Sequence, residues 1–169
     1  MDAELAIASK RDRRAYAEES IPDALERRIL DAGRVAGSGR NRQGRRFVVI
    51  RDGLEEAIEL VTRPDNLRGA TLVVAIVVPS GNPNARFDAG RAAQNMMLTA
   101  WNQGVVSCPN AVGERERLET LTGTGAEEEV AIVLSFGYPA NGADPARFSV
   151  EEWLEKADRV PFEEAVSSV

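Results

Sequence analysis

The sequence predicts an α/β or α+β sandwich, with helices packed around one sheet, and three observations lead there. The chain has 169 residues, 43% of them hydrophobic, which suits one domain with a proper core and argues against disorder. Short apolar runs bounded by turn residues alternate with stretches of helical periodicity. One such stretch, from near Asp88 to Gly104, is long, apolar along one face and uncharged from Ala92 through Gln103.

Residues 8–16 are basic and short. Ser20-Ile21-Pro22-Asp23 reads as a helix start, with Ser20 as cap, proline in the first turn and an acid three residues on. Leu25, Ile29, Ala32 and Ala36 form its apolar face, and Gly37-Ser38-Gly39 ends it. A polar loop from Gly39 to Arg46 leads into a strand, Phe47 to Ile50. Leu54, Ala57, Ile58 and Val61 mark a short amphipathic helix. Leu72 to Val78 is continuously apolar, as expected of a strand buried on both faces. Ser80 to Phe87 reads as a turn-rich loop.

The long helix follows, with its stripe at Ala89, Ala92, Ala93, Met96, Met97, Ala100 and Trp101. A surface helix ordinarily shows charge on its outer face. This one is expected to be enclosed on most sides, and in so small a chain a second subunit would supply the enclosure. A sharp turn is expected after Gly104. Glu114 to Thr122 reads as a charged helix ending at Gly123, and Val130 to Phe136 as a third buried strand closed by Gly137-Tyr138-Pro139. Ser149-Val150-Glu151-Glu152 is a capping box opening a short helix; the tail from 156 is mixed. No repeat and no linker-like stretch divides the chain, so a single domain over 1–169 is expected.

Composition excludes several kinds of chemistry. There is no histidine, which removes Ser-His-Asp triads, Cys-His pairs and histidine-bound metals. Cys108 is the one cysteine, so neither an intrachain disulfide nor a thiolate cluster can form. No metal site is expected, and an enzyme built this way needs a bound organic cofactor for its reactive step. A net charge of −6, with arginine clusters that lack interleaved aromatics, argues against a nucleic-acid partner. The first ten residues do not form a secretory signal. The apolar run at 70–79 is too short to cross a bilayer, and 92–113 is too polar. A soluble cytoplasmic protein without a membrane partner is the expectation.

Four segments could carry a ligand. Lys10-Arg11-Asp12-Arg13-Arg14-Ala15-Tyr16 offers guanidinium forks that match phosphate oxygens; a solvated basic segment is the alternative. Gly37 to Phe47 combines small residues with Ser38, Asn41 and Gln43, groups suited to the edge of a polar ring; a helix end and solvated loop would read the same. Gly104 to Val112 turns out of the long helix and could offer backbone N–H groups. Cys108 within it reads as a small core residue rather than a reactive thiol. Arg159-Val160-Pro161-Phe162 offers one more cation, as a phosphate ligand or a surface ion pair.

In this order, the segments resemble the FMN-dependent nitroreductase family. Lys10 to Tyr16 corresponds to that family's Arg-Arg-Ser-x-Arg-x-Phe. Gly37, Ser38, Asn41, Gln43 and Phe47 fall in register with Pro-Ser-x-x-Asn-x-Gln-Pro-Trp-x-Phe. Asp88 to Ala100 and Gly104-Val105-Val106-Ser107 follow its central helix and the Gly-Leu-x-Ser beyond. Phe136 to Pro139 resembles its Gly-Tyr-Pro strand end, and Arg159-Val160-Pro161 its final Arg-x-Pro. The resemblance covers nearly the whole chain.

It implies an α+β three-layer fold, with a central, mostly antiparallel sheet flanked by helices, in a homodimer. It implies an FMN-dependent oxidoreductase that passes electrons from NADH or NADPH to a nitroaromatic, quinone or similar small acceptor by a ping-pong mechanism, the flavin rather than a side chain carrying the chemistry. By the same resemblance, Arg11 and Arg159 would hold the FMN phosphate, with Asp12 beside it, and Arg14 would lie near the pyrimidine end of the flavin. Ser38 and Asn41 would come from the partner subunit, and Gln43 would also contact the cofactor. The backbone at Pro109, Asn110 and Ala111 would line the ring near its reactive edge. Relatives of the fold also carry out dehalogenation and dehydrogenation, and a flavin- or effector-binding module without reductase activity is a further alternative. The chain departs from the family pattern at Asp12 for Ser, at Gly44-Arg45 for Pro-Trp, at Val105-Val106 for Leu-Gly, and at Ala157 for a basic residue. These departures imply a weaker hold on FMN, or a phosphate read by Arg13 or Arg45.

Overall fold

The computed structural model describes residues 1–168, which form two compact units. One comprises Met1–Lys10 and the chain from Asp144 onward; the other is Arg11–Ala143.

The larger unit is built on four strands, β1 (Arg46–Val49), β2 (Leu72–Pro79), β3 (Val106–Asn110) and β4 (Glu128–Gly137), all antiparallel in the order β1-β2-β4-β3. Its helices are α2 (Asp23–Arg34), α3 (Leu54–Glu59), α4 (Pro83–Asn102) and α5 (Arg115–Leu121). Side chains alternate across β2. Leu72, Val74, Ile76 and Val78 enter one core with Ile29 of α2 and Ala89, Ala93 and Met96 of α4. Val73, Ala75 and Val77 enter a second core with Ala57 and Ile58 of α3 and Leu118 of α5. The result is helices, sheet and helices in three layers, an α+β arrangement. Each fully buried Val, Ile or Leu contributes roughly 1.5–3 kcal/mol of transfer free energy. Gly33 lets α2 close on α4, since a Cβ there would lie 2.7 Å from Met96 Sδ.

Several boundaries differ from the sequence reading. The helix expected after Ser20 has Pro22 as its cap residue, with no side-chain capping bond. Ser20 cannot cap it, because Ile21 would then be the first helical residue, and a residue preceding proline is pushed out of the helical region. The loop expected at 80–87 is largely helix. The Asn82 side chain accepts from Asn84 N at 3.1 Å and Pro83 opens α4, so Asn-Pro serves here as cap and first residue rather than as a turn. The turn expected over 104–112 becomes strand β3 after Gly104, whose φ of 77° ends α4. Pro109 lies within β3, which is at the sheet edge, where proline is tolerated. The stripe of α4 is buried as expected. Its back is not enclosed within one chain: Gly90, Gln94 and Asn95 are exposed, and Phe87 is 68% exposed.

In the smaller unit, α1 (Ala3–Ser9), absent from the sequence reading, is capped by Asp2, whose carboxylate accepts from Leu5 N at 2.8 Å. The expected capping box opens α6 (Val150–Glu155): Ser149 N donates to Glu152 Oε2 at 2.8 Å and Glu152 N to Ser149 Oγ at 3.2 Å. Trp153 meets Phe148 edge-on at 5.0 Å between centroids and donates its Nε1–H to Pro145 O. A last short helix, α7, spans Phe162–Ala165. Among the described residues no helix is long and apolar enough to cross a membrane, and no group of three or more Cys, Asp or Glu could hold a metal.

One ion pair ties the edge strand β1 to β4, across the intervening β2. Arg46 of β1 donates its Nη2 to Glu128 Oε2 at 2.8 Å and its Nε to both carboxylate oxygens. The bonds from Arg46, then that from Gly125 N, hold the Glu128 carboxyl down from 4.5 to about 2. A depressed carboxyl pKa contributes stability above the unfolded value and loses it as pH falls through the folded one. Unfolding free energy is therefore expected to fall between about pH 4.5 and about pH 2. Glu128→Gln should flatten that part of the profile, measured by denaturant unfolding at a series of pH values.

Candidate functional site

The N-terminal arginine segment and β3 come together along one edge of the sheet. Asp12 forms a parallel bridge with Ser107, and Arg13 N donates to Ser107 O at 3.1 Å. Farther along, Tyr16 pairs with Pro139. The segment thus lies as a short extra strand on the β3 edge, where the ladder has unpaired groups to offer. Arg14 donates its Nε–H to Cys108 Sγ at 3.2 Å. Arg13 sends Nη1 to Gly142 O, and together with Arg14, Ala15 and Asn141 it lines a shallow cavity of about 280 Å³. So Arg11, Asp12 and Arg14 share one edge with Pro109, Asn110 and Ala111. Cys108 is fully buried, in keeping with its reading as a core residue.

Behind that edge is a buried polar network. Asn110 Nδ2 donates toward Cys108 O, Val133 O and Ser135 Oγ, and Ser135 Oγ lies 2.8 Å from the Tyr16 hydroxyl. Burial raises the Tyr16 pKa to about 12, against the lowering effect of the Ser135 bond and of the Arg14 charge. Tyr16 therefore stays neutral and keeps its O–H. Ser107 Oγ and Asn110 Oδ1 are buried without a hydrogen-bond partner among the described residues; such an atom ordinarily costs about 1–3 kcal/mol. Sequence reasoning missed Tyr16, Ser135 and the pairing of Arg14 with Cys108. A signal for Ser135 was present: it is the one polar residue in the apolar run Val130 to Phe136.

Ser38, Asn41 and Gln43 are not brought to this edge. Their loop contains a 3₁₀ turn, Gly39–Asn41, and precedes β1. β1 and β3 are the opposite edges of the sheet; three strand spacings put roughly 14 Å between them. Within the loop, Gln43 N donates to Ser38 Oγ at 2.9 Å and Gly39 N to Asp88 Oδ2 at 3.0 Å. Arg40, Asn41 and Gln43 have φ of 53°, 54° and 53°, left-handed conformations uncommon for residues with a Cβ. The loop is thereby held against the start of α4, where Ser38, Asn82, Asp88 and Arg91 help line a cavity of about 540 Å³.

One departure from the family pattern gains a structural explanation. Arg45, read as an alternative phosphate ligand, instead turns its Nη2 to the carbonyls of Gly33, Arg34 and Ala36 at the end of α2. A guanidinium there satisfies terminal carbonyls and suits the negative end of the helix dipole. Burial lowers its pKa, opposed by Asp88. Arg13, the other alternative, is turned toward Gly142 O. Arg159 belongs to the smaller unit, where its Nη1 donates to Ala157 O at 2.8 Å.

Residues 58–138 match the family model described as Nitroreductase family. A protein of Archaeoglobus fulgidus whose name carries both NADH dehydrogenase and NAD(P)H nitroreductase is 29% identical over 167 residues, covering 87% of this chain and 96% of the relative. A solved nitroreductase family protein from Clostridium difficile 630 superposes with a TM-score of 0.81 at 21% identity, covering 99% of this chain and 98% of the other. Another solved structure, an oxidoreductase containing FMN, has a TM-score of 0.79 at 18% identity, covering 99% and 91%.

The network behind β3 makes its own prediction. Ser135→Ala removes an acceptor of Asn110 Nδ2 and the partner of the Tyr16 hydroxyl, which is expected to cost about 1–3 kcal/mol. Denaturant unfolding measures it, and Ser135→Thr, which keeps the hydroxyl, should recover part of the loss.

Proposed function

We propose that this chain is a member of the nitroreductase family that binds FMN at the interface of a symmetric homodimer and transfers electrons from NADH or NADPH to a small acceptor such as a nitroaromatic or quinone. One observation carries the reading: the guanidinium-rich edge at Arg11–Arg14 and β3 is separated by the width of the sheet from the strained loop at Ser38–Gln43. A second copy related by a twofold axis can bring the loop of one protomer to the edge of the other. The exposed back of α4, with Phe87, Gln94 and Asn95, is the surface such a partner would cover.

The donor set fits a flavin nucleotide. Guanidinium groups at Arg11 and Arg14 match an anionic, hydrogen-bonding ligand, and half-buried Pro109 and exposed Ala111 offer a surface on the same edge. Arg11 and, from its sequence motif, Arg159 are proposed to hold the phosphate, with Asp12 positioned by its pairing to Ser107. Arg14 is proposed to face the pyrimidine end of the ring, where a fixed cation favours added electrons. Pro109, Asn110 and Ala111 are proposed to line the reactive edge. Ser38, Asn41 and Gln43 of one protomer are proposed to complete the site of the other. Bound FMN would supply the hydride and electron transfer itself. The protein's part is to position the rings, with no side-chain acid or base required because water can deliver protons. The relatives' names, with their nicotinamide donors and FMN, support this reading.

The purified protein is expected to be a yellow dimer whose absorption bands leave with a cofactor released by heat and identified as FMN. A colourless monomer that ignores added FMN would defeat the proposal. Arg14→Ala is expected to lower the flavin's midpoint potential or weaken FMN binding about tenfold, since one charge-assisted hydrogen bond contributes about 1–3 kcal/mol. Potentiometry and FMN titration measure these effects, and both unchanged would remove Arg14 from the site.

A further inference from the structure

We infer that Cys108 is a positioning residue, whose buried sulfur holds the Arg14 guanidinium in one orientation against the flavin; this rests on the reading of Arg14 proposed above. The geometry begins with the pairing itself. Arg14 Nε lies 3.2 Å from Cys108 Sγ, within hydrogen-bond reach for a sulfur acceptor. Arg14 is exposed, and its Nη1 and Nη2 have no hydrogen-bond partner among the described residues. The one bond it makes therefore employs the hydrogen nearest the chain and leaves the fork at the tip for a ligand. A long arginine side chain loses rotamer entropy when ordered, so an anchor at Nε lowers the cost of presenting that fork.

The anchor is itself fixed. Cys108 is fully buried on β3. Its S–H points to Pro109 O at 3.3 Å, which leaves sulfur lone pairs for Arg14. Its carbonyl accepts from Asn110 Nδ2 at 3.0 Å and from Ser135 Oγ at 3.2 Å, and Ser135 is braced in turn by the Tyr16 hydroxyl. Tyr16 lies two residues beyond Arg14 and remains protonated, so the brace persists across the working pH range. Arg14 is thus tied at both ends of a short segment: through its side chain to Cys108, and through Tyr16 to the network beneath Cys108. Thiol nucleophilicity has no part in this role, and a fully buried sulfur suits it.

The test needs two readouts. In the FMN-loaded protein, Cys108→Ala is expected to lower the flavin's midpoint potential, corresponding to an about threefold to tenfold loss of preference for reduced over oxidised FMN. Cys108→Ser, whose oxygen also accepts a hydrogen bond, should retain most of it. In an Arg14→Ala background, Cys108→Ala should add nothing further, because the two residues act as a unit. An unchanged potential in FMN-loaded Cys108→Ala, or full additivity with Arg14→Ala, overturns the inference. In the flavin-free protein, the Arg14 Nε–H, identified by its loss in Arg14→Lys, should exchange slowly with water in the native chain and in Cys108→Ser, and quickly in Cys108→Ala. Equal exchange in all three overturns the inference whether or not FMN binds. A native chain that binds no FMN overturns the flavin reading instead, and the exchange measurement then still decides the Arg14–Cys108 contact.

Discussion

The pairing of β2 with β4 is the constraint on which the larger unit depends. Both strands lie inside the sheet, and eight residue pairs run from Leu72↔Phe136 to Pro79↔Glu128 with one register shift at Ile76/Val77. Because successive side chains point to opposite faces, this ladder divides the apolar residues into two cores, one under α2 and α4 and one under α3 and α5. A slip of one residue would exchange every β2 side chain between those cores. The two sets differ, Leu72, Val74, Ile76 and Val78 on one face against Val73, Ala75 and Val77 on the other, so such a slip would misfill both cores.

The sheet's two edges then acquire different roles. At the β1 edge, chain direction is governed by ion pairing and helix capping: Arg46 grips Glu128, and Arg45 turns back to the end of α2. Adjacent arginines thus point to unrelated partners, one across the sheet and one into a helix terminus. At the β3 edge the main chain of Asp12 and Arg13 occupies part of the open ladder, so the side chains of the arginine segment are carried on a backbone that is already hydrogen-bonded. In the proposed site, a ligand meeting Arg14 would find its guanidinium ordered before binding, which would reduce the entropy lost in recognition.

The acidic balance of the chain fits this distribution. Most ion pairs are exposed or partly exposed and join arginines to nearby carboxylates, as in Arg34–Asp31, Arg68–Glu59 and Arg117–Glu56. Pairs of that kind add little stability each. Arg14 differs in that its described side-chain bond goes to sulfur. Its full positive charge remains available to an anionic ligand.

Local chemistry alone determined a large part of this protein. The two-faced burial of Leu72 to Val78, the stripe of α4 and the capping box at Ser149 follow from periodicity and from short-range hydrogen bonding, which act within a few residues and can be read along a chain. The order of motifs from Lys10 to Arg159 likewise pointed to a flavin fold. Tertiary structure decided the rest. That Pro109 lies in a strand depends on β3 being an edge, a property of sheet order and not of the sequence around it. That Arg45 caps α2 depends on where the helix end lies relative to β1, and that Cys108 receives Arg14 depends on a contact across 94 residues. These are long-range geometric facts: a side chain's identity states what it can bond, and only the packed chain states what it meets.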